Sequence, residues 1–459
     1  MMHTIHFSGE CKLKLPVIFK LYELDIMKIK STEMLLTAAV ALAITTPACA
    51  DKGSKTGSFG FEPIAESANK DDWNPSAPWN IPAGFSQSIV SDETALNIYG
   101  EGRTDWHDMN TVNESGKKAG RYLYRTHEVR LGRDDVYDAV GGAVSVVDLK
   151  TGESKVIANE IDWTALDGIR WTPWGTIVFA EETAGGRFFE MMLDKKDLMS
   201  GTVIERPAVG LMAHEGIDIG TDGSIYVVDE HRGQSSGCDN VEGHCGGGVY
   251  KFVPHQYGNL ESGDLYMLKV TGEDGVGQGE WVGPIDASDV RLSGTEAGGT
   301  SYQRPEDLEI IANTLYVAVT EGSLDDNGDQ KYDGRIISVN LKTMKVSDFV
   351  KGGMNAPLEI GVPGDENFQS GLDNPDNLAE SPDGKLIIIE DNKPSDIWFA
   401  STQTDKNGAS VDVSLFASLT DPGAEGTGIY FGKDPKTMFV NVQHSAAPDG
   451  DATWAITKD

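Results

Sequence analysis

Acidic residues recur at a fixed distance along this sequence, and their spacing is its clearest chemical signal. Five pairs of positions lie 14 residues apart, each opened by an acid: Glu114 and Glu128, Asp167 and Glu181, Glu215 and Asp229, Glu306 and Thr320, and Asp376 and Glu390. A sixth pair, Glu425 and Gln443, is separated by 18 residues. Carboxylate oxygens are the ligands that hard cations such as Ca²⁺ prefer, so the set predicts metal binding.

The second member of each pair falls at the end of a short run of β-branched and aromatic residues, as at residues 175–182 and 223–230. A Gly or Asn precedes most of these runs, which is typical of a turn followed by a strand. Successive first members are 53, 48, 91, 70 and 49 residues apart. A unit of about 50 residues made of strands and turns predicts a propeller blade.

We therefore expect residues 51–459 to form one all-β domain, a six-bladed β-propeller with inserted loops. Equivalent positions of successive blades return to equivalent places around one axis, so the acids would surround the central channel. Carboxylates gathered in a low-dielectric funnel need protons or cations to neutralise them. Solvated turn acids are the alternative, but six copies in phase favour a ring of metal ligands.

Arg304 stands out because only Pro305 separates it from the acidic pair Glu306 and Asp307. A salt bridge that holds a carboxylate in position is one role for this side chain. A bidentate clamp on a phosphate or carboxylate is the other, and the two roles are compatible.

Two loops carry further candidate sites. Residues 325–333 place oxygen ligands at alternating positions, as calcium loops do, although a solvated turn explains them equally well. Cys238 and Cys245 flank a short polar loop, for which we expect one disulfide in an oxidising compartment. A zinc site that adds His231 and His244 is the alternative.

The N-terminus has the features of a secretory signal peptide. Lys28 and Lys30 precede an apolar run at residues 34–44, and Ala48-Cys49-Ala50 matches a cleavage site. We expect a leader over residues 1–50, with the natural start at Met27, and a periplasmic or extracellular mature protein. No later run of 18 apolar residues occurs, so we expect no membrane span.

The formal net charge of −34 argues against nucleic acid and anionic membranes as partners. An anionic substrate would need bound cations to reverse the local field. We expect a small-molecule substrate and a monomeric protein.

A series of short phrases runs in order through residues 61–444. The phrases are Thr126-His127-Glu128, Trp174-Gly175-Thr176 with Glu181-Glu182, His214-Glu215, Arg304-Pro305-Glu306-Asp307, Pro375-Asp376-Asn377, and Glu425-Gly426-Thr427-Gly428 with Val442-Gln443-His444. In this order they resemble the PhoX-type alkaline phosphatase family. The resemblance implies a six-bladed propeller that hydrolyses phosphate monoesters at a mixed calcium–iron cluster.

The resemblance also implies roles for single residues. Its metal ligands are Glu181, Glu182, Glu215, Glu306, Asp307 and Asp376, and Arg304 would steady the phosphate. The repeat and its phrases add Glu128, Asn377 and Glu425 to the predicted metal set. The predicted catalytic set is Arg304, Glu306, His127 and His214.

Two departures from the family bear on the metals. Ala180 stands where family members usually have a cysteine that ligates iron, which counts against Fe³⁺ and favours several Ca²⁺ ions. No Arg-Arg pair precedes Met34, whereas family members are often exported through a twin-arginine signal. A protein loaded with metal outside the cell would meet plentiful calcium and scarce iron.

Three functions remain, led by a metal-dependent phosphoesterase. A calcium-dependent propeller lactonase or arylesterase is the second, because the phrase at residues 381–386 also occurs in that group. One calcium would polarise the ester carbonyl there, with His127 or His214 as base. Such an enzyme should have a mostly apolar mouth and no need of Arg304. A non-catalytic, calcium-stabilised binding propeller is the third.

Overall fold

The computed structural model describes residues 59–68, 72–100, 103–231, 247–320, 334–361 and 368–459. The expected signal peptide, the Cys238–Cys245 pair with His244, and the acidic loop at residues 325–333 lie outside the described residues, so those predictions remain predictions. None of the helices in the described part is long and apolar enough to cross a membrane.

Strands are the main secondary structure of the described chain. The first are β1 (Trp79–Asn80), β2 (Phe85–Asp92), β3 (His107–Val112), β4 (Tyr122–His127), β5 (Gly142–Asp148), β6 (Glu153–Glu160), β7 (Leu166–Trp171), β8 (Ile177–Glu181), β9 (Phe188–Leu193) and β10 (Gly201–Glu205). The middle strands are β11 (His214–Ile219), β12 (Ile225–Asp229), β13 (Val249–Gln256), β14 (Asn259–Thr271), β15 (Gly277–Ile285), β16 (Pro305–Ile311), β17 (Thr314–Val319), β18 (Arg335–Asn340) and β19 (Lys345–Lys351). The last are β20 (Pro375–Glu380), β21 (Leu386–Glu390), β22 (Asp396–Ala400), β23 (Val413–Leu419), β24 (Glu425–Phe431), β25 (Thr437–Gln443) and β26 (Ala452–Lys458).

Helices are short. The α-helices are α1 (Asp135–Val140) and α2 (Val290–Glu296), and the 3-10 helices are Glu93–Ala95, Pro207–Val209 and Glu273–Gly275.

Antiparallel pairing joins the strands of the described residues into five sheets. Strands β3 to β6 and β7 to β10 form two four-stranded meanders. Strands β20 to β23 form a third sheet, in which β1 pairs with the edge strand β23. Strands β24 to β26 form a fourth, in which β2 pairs with the edge strand β26. The fifth sheet has nine strands, because β11 to β15 meet β16 to β19 through a short β15–β19 pairing.

The predicted all-β, propeller-like arrangement is confirmed, but the described strands form five sheets rather than six separate ones. The difference lies in the long hairpin of β14 and β15. Its last strand reaches the edge of β19, where Gly277 and Gln278 pair with Val346 and Lys345.

The innermost strands nevertheless form a closed ring. Strands β3, β7, β11, β16, β20 and β24 neighbour one another in that order, and β24 lies against β3. N-terminal β2 also pairs with C-terminal β26, from Phe85 with Lys458 to Asp92 with Ala452. This ring positions equivalent residues of each sheet around one axis.

Inner strands such as β21 are buried on both faces by neighbouring sheets, which explains the continuous apolar runs in the sequence. In β21, Ile387 and Ile389 pack into one hydrophobic cluster, while Leu386 and Ile388 pack into the next. Side chains of a strand alternate between its faces, so a shift of one residue exchanges the two clusters.

Candidate metal centre

A register shift interrupts five of the innermost strands beside an acid. In β7, Leu166 pairs with Glu181 and Ile169 with Phe179, so Asp167 lies between the paired positions. A β-bulge of this kind re-aims a side chain. The acids at the corresponding shifts of the other four strands are Asp108, Glu215, Glu306 and Asp376.

Glycine follows the acid in β7 and β11 because the next innermost strand passes directly beside it. A Cβ at Gly168 would overlap the carbonyl oxygen of Glu215, and one at Gly216 would overlap Asp307. The Asp-Gly and Glu-Gly phrases of the sequence therefore have a packing origin: each permits close approach of the neighbouring strand.

The acids of the ring meet in a cavity of about 210 Å³. Nine carboxyl groups line it together with three arginines. The lining residues are Trp106, Asp108, Glu128, Arg130, Arg133, Asp167, Glu182, Glu215, Arg304, Glu306, Asp376, Asp391, Glu425, Thr427, Gln443 and His444. We call this the axial cavity.

Two overlapping groups of carboxylates are close enough to share cations. Ligand oxygens of Asp167, Glu182 and Glu215 lie within 4.8 Å of one another, as do those of Glu215, Glu306 and Asp376. Oxygens on one Ca²⁺ ion are separated by up to about 5 Å, since each bond is about 2.4 Å long. Glu215 belongs to both groups, so it stands between two candidate cation positions.

Burial and repulsion raise the pKa values of these acids. For Asp167 and Glu215 the main cause is burial, followed by a neighbouring carboxylate, Asp108 and Asp167 respectively. Burial raises the pKa of Glu306 to about 8, although the charge of Arg304 opposes the shift. In addition, the buried Oδ1 of Asp167 accepts no hydrogen bond from a described residue. The cavity therefore has the charge and the free lone pairs that bound cations would satisfy.

The donor set is one of oxygens, which fits calcium. Ala180 is fully buried in a hydrophobic cluster with Val178 and Ile217, and it does not line the axial cavity. All four cysteines lie outside the described residues. The described lining therefore offers no thiolate for iron.

Arg304 holds three carboxylates. Its Nε donates to Glu230 Oε1 at 2.8 Å, and Nη2 donates to Asp391 Oδ2 at 3.1 Å and contacts Glu306. These charges raise the pKa of the guanidinium above its usual range although burial opposes the shift. Arg304 therefore forms salt bridges that hold carboxylates in position, and its side chain also lines the cavity.

Two further arginines were missed by the sequence reasoning. Arg130 contacts Glu128 and Glu182, and Arg133 is exposed and forms no ion pair with a described residue. Both follow β4 closely, in the phrase Arg130-Leu131-Gly132-Arg133, and this proximity to Glu128 was the available signal.

Of the nine predicted metal ligands, six line the axial cavity: Glu128, Glu182, Glu215, Glu306, Asp376 and Glu425. Glu181 does not, since it accepts from Thr164 N and from the guanidinium of Arg187. Asp307 accepts from Leu378 N at 2.7 Å and so joins β16 to β20.

Asn377 is likewise a bracing residue. Its Oδ1 accepts from Gly428 N at 2.7 Å, and its Nδ2 donates to Asp376 Oδ1 at 2.8 Å. It therefore joins β20 to β24 and orients a cavity acid.

The structure places the two predicted catalytic histidines, His127 and His214, away from the axial cavity. Both are fully buried outside the cavity lining. His127 contacts the Asp105 carbonyl and Ser145 Oγ, both at 2.8 Å, and burial lowers its pKa to about 3. His214 contacts the Gly210 carbonyl at 3.0 Å, and burial lowers its pKa to about 4. Neither residue lines the axial cavity.

In the first repeat, the acid at the register shift of β3 is Asp108 and not Glu114, which the spacing indicates. Glu114 is exposed and accepts from the Tyr430 hydroxyl, whereas Asp108 occupies the bulge of β3. The phrase His107-Asp108 repeats the His214-Glu215 phrase of β11, and this similarity could have identified Asp108.

Asp391 was missed because the repeat was read one residue early at the end of the second strand. It follows Glu390 as Glu182 follows Glu181, and both second residues line the cavity.

Two solved structures illustrate what this chain is similar to. PhoX from Pseudomonas fluorescens in complex with vanadate, a transition state analogue, shares 18% identity over 87% of this chain and 98% of that chain, with a TM-score of 0.60. XC5397 from Xanthomonas campestris, a gluconolactonase, shares 14% identity over 87% of this chain and 99% of its own, with a TM-score of 0.45. A search of curated proteins found no match.

The first of these similarities supports the fold, and the second is too distant to bear on function. The family model described as alkaline phosphatase PhoX matches residues 194–446, more than half of the sequence. That stretch contains Glu215, Arg304, Glu306 and Asp376 of the axial cavity. The chain therefore belongs to the PhoX alkaline phosphatase family.

Proposed function

We propose that the axial cavity is the site at which this metal-dependent phosphoesterase hydrolyses small phosphate monoesters. The observation that carries the proposal is the pair of carboxylate groups that share Glu215, beside Arg304, within the stretch that matches the family. The structurally similar PhoX of Pseudomonas fluorescens binds vanadate, a transition state analogue, which supports phosphate chemistry in this fold.

We assign the cations to Ca²⁺ because their ligands are oxygens. Asp167, Glu182 and Glu215 would hold one ion, and Glu215, Glu306 and Asp376 a second. Bound there, calcium would supply positive charge that offsets the carboxylates and polarises the phosphate. Without such cations, the nine acids would repel a phosphate ester despite the three arginines.

The chain's own cationic residues would position the ester. Arg133, exposed at the cavity, would attract the anion, and Arg304 would orient the phosphate oxygens. His444 lies 3.3 Å from Glu425 and packs against Trp106. We assign it the transfer of a proton to the leaving alcohol, since it is the imidazole of the cavity lining.

The nine-stranded sheet is best interpreted as two blades joined by the β15–β19 pairing, which gives six blades around the ring. Two innermost strands, β11 and β16, belong to this one sheet and neighbour each other at the axis. Export through the leader at residues 1–50 and a monomeric state complete the proposal.

The lactonase alternative has less support. A lactonase should have a mostly apolar mouth, whereas Trp106 is the only large apolar side chain among the lining residues of the described cavity. A binding propeller stabilised by calcium could use the salt bridges of Arg304, but membership of the PhoX alkaline phosphatase family favours the phosphatase function.

Hydrolysis of p-nitrophenyl phosphate by the purified protein tests the proposal. Activity should disappear on chelation and return with Ca²⁺ alone, while p-nitrophenyl acetate should remain intact. Activity that returns only with added iron would contradict the calcium assignment. No activity with any metal would refute the phosphatase function.

A further inference from the structure

A second cluster of metal-binding side chains lies outside the axial cavity. It joins Asp105, at the end of the loop before β3, with His107 of β3 and His127 of β4. One ligand atom of each lies within 4.8 Å of the others. The three residues are 1%, 0% and 0% exposed, so the cluster is fully enclosed.

The imidazole ring of His107 has no hydrogen-bond partner among the described residues. Both of its ring nitrogens are buried and unbonded among the described residues, as is Oδ2 of Asp105. A buried polar group without a partner destabilises the folded protein, and the great majority of such groups are satisfied in native proteins. An ion between these side chains would satisfy both of them.

The second histidine is oriented as metal-binding histidines are. His127 Nδ1 lies 2.8 Å from the Asp105 carbonyl oxygen, which only accepts, so Nδ1 carries the proton. The lone pair of Nε2 is then available, and it faces Ser145 Oγ at 2.8 Å. Ser145 would keep a partner if Nε2 bound an ion, because Arg125 Nε donates to the same hydroxyl at 3.1 Å. A backbone carbonyl that holds one ring nitrogen is the usual support of a metal-binding histidine.

The charges around the cluster leave room for a divalent cation. Glu93 accepts from Asp105 N at 3.1 Å, and Glu93 N donates to the Asp451 carbonyl at 3.1 Å. Glu93 Oε1 and Asp451 Oδ2 are also buried without a described partner. The buried guanidinium of Arg125 interacts with Asp105 and with Asp92, while Glu93 and Asp451 add acidic groups beside Asp105, so acids outnumber cations around the cluster and a divalent cation would offset the excess.

We infer that Asp105, His107 and His127 bind one divalent transition-metal ion of the zinc class. Two imidazoles and a carboxylate suit Zn²⁺ or Co²⁺, whereas the oxygen donors of the axial cavity suit Ca²⁺. The ion would be structural, because the site is enclosed. It lies where the ring closes: Glu93 follows β2, and Asp451 directly precedes β26, the partner of β2.

The test is metal loading followed by a count of bound metal. The purified protein is stripped, saturated with Ca²⁺ to fill the axial cavity, loaded with Co²⁺ or Zn²⁺, desalted and analysed by mass spectrometry. His107→Gln should lose one equivalent of transition metal together with the visible absorption of bound Co²⁺. His214→Gln is the matched control, since His214 occupies the equivalent buried position in β11 and belongs to no described ligand cluster.

Two further arms separate this site from other sources of binding. Cys238→Ser/Cys245→Ser should keep the ion, so its loss in that variant would place the metal at the cysteine loop and overturn the inference. If His107→Gln does not fold, the Tm of the unaltered protein tests the site instead. One equivalent of Zn²⁺ should raise this Tm under saturating Ca²⁺. No bound transition metal in the unaltered protein, or an undiminished count in His107→Gln, would refute the site.

Discussion

Glu306→Gln should change the stability of this protein in opposite directions with and without calcium. Glu306 is buried in the ring, contacts Arg304 and accepts from the Thr320 hydroxyl. Glutamine keeps the shape and can accept the same hydrogen bond, but it carries no charge. The substitution therefore isolates the cost of an ionised carboxylate in the metal-free cavity.

The raised pKa of Glu306 determines how much the substitution should change the free energy of unfolding. It is raised from 4.5 to about 8, mainly by burial. Between these values the unfolded chain has released the proton and the folded protein retains it, so stability falls as pH rises, by about 1.4 kcal/mol per pH unit. Above pH 8 the unaltered protein has lost about 5 kcal/mol of its free energy of unfolding. The metal-free Glu306→Gln protein should be more stable by about that amount, because glutamine carries no charge.

Calcium reverses the order. A ligand that binds only the folded state stabilises it by about 2.7 kcal/mol at 100 times its Kd and by about 5.5 kcal/mol at 10,000 times its Kd. The variant has lost one oxygen donor of that site, so the unaltered protein should become the more stable of the two only at the higher of these ratios. Denaturant unfolding at pH 5 and pH 8, in chelator and in excess Ca²⁺, measures both effects. Glu153→Gln, on exposed β6, is the control and should change nothing. A Glu306→Gln protein less stable than the unaltered protein at pH 8 in chelator would refute the reasoning.

Three other substitutions test the cavity. Arg304→Lys keeps the charge but loses the fork that spans Glu230 and Asp391, so kcat/KM for p-nitrophenyl phosphate should fall about 100-fold. Arg187→Lys, which alters an arginine outside the cavity, is its control, and an equal loss there would contradict a role for Arg304 in phosphate binding. Glu215→Gln should lower the calcium content by two ions in mass spectrometry, because Glu215 belongs to both ligand groups; loss of a single ion would show that it is not shared. Arg133→Ala should raise KM several-fold, leave kcat unchanged and weaken the dependence of kcat/KM on ionic strength; a fall in kcat with unchanged KM would remove Arg133 from substrate capture.

The sequence by itself determined the repeat and the ring that the repeat implies. Continuous apolar runs such as residues 386–389 predict strands that are buried on both faces, and a recurring unit of such strands predicts a propeller. The acids Glu215, Glu306 and Asp376 were predicted for the same reason, whereas Asp167 opens a pair of the repeat but was left out of the predicted metal ligands. Each recurs at one place in the unit, and one place in the unit is one place around the axis.

Only the tertiary structure decided which of two adjacent residues meets the cavity. Glu181 binds Arg187 while Glu182 lines the cavity, and Asp307 braces β20 while Glu306 lines it. Successive side chains of a strand point to opposite faces, and the register shift of each innermost strand chooses the face. Spacing along the chain does not reveal that shift, because the shift arises from pairing with a strand whose own position depends on the closed ring.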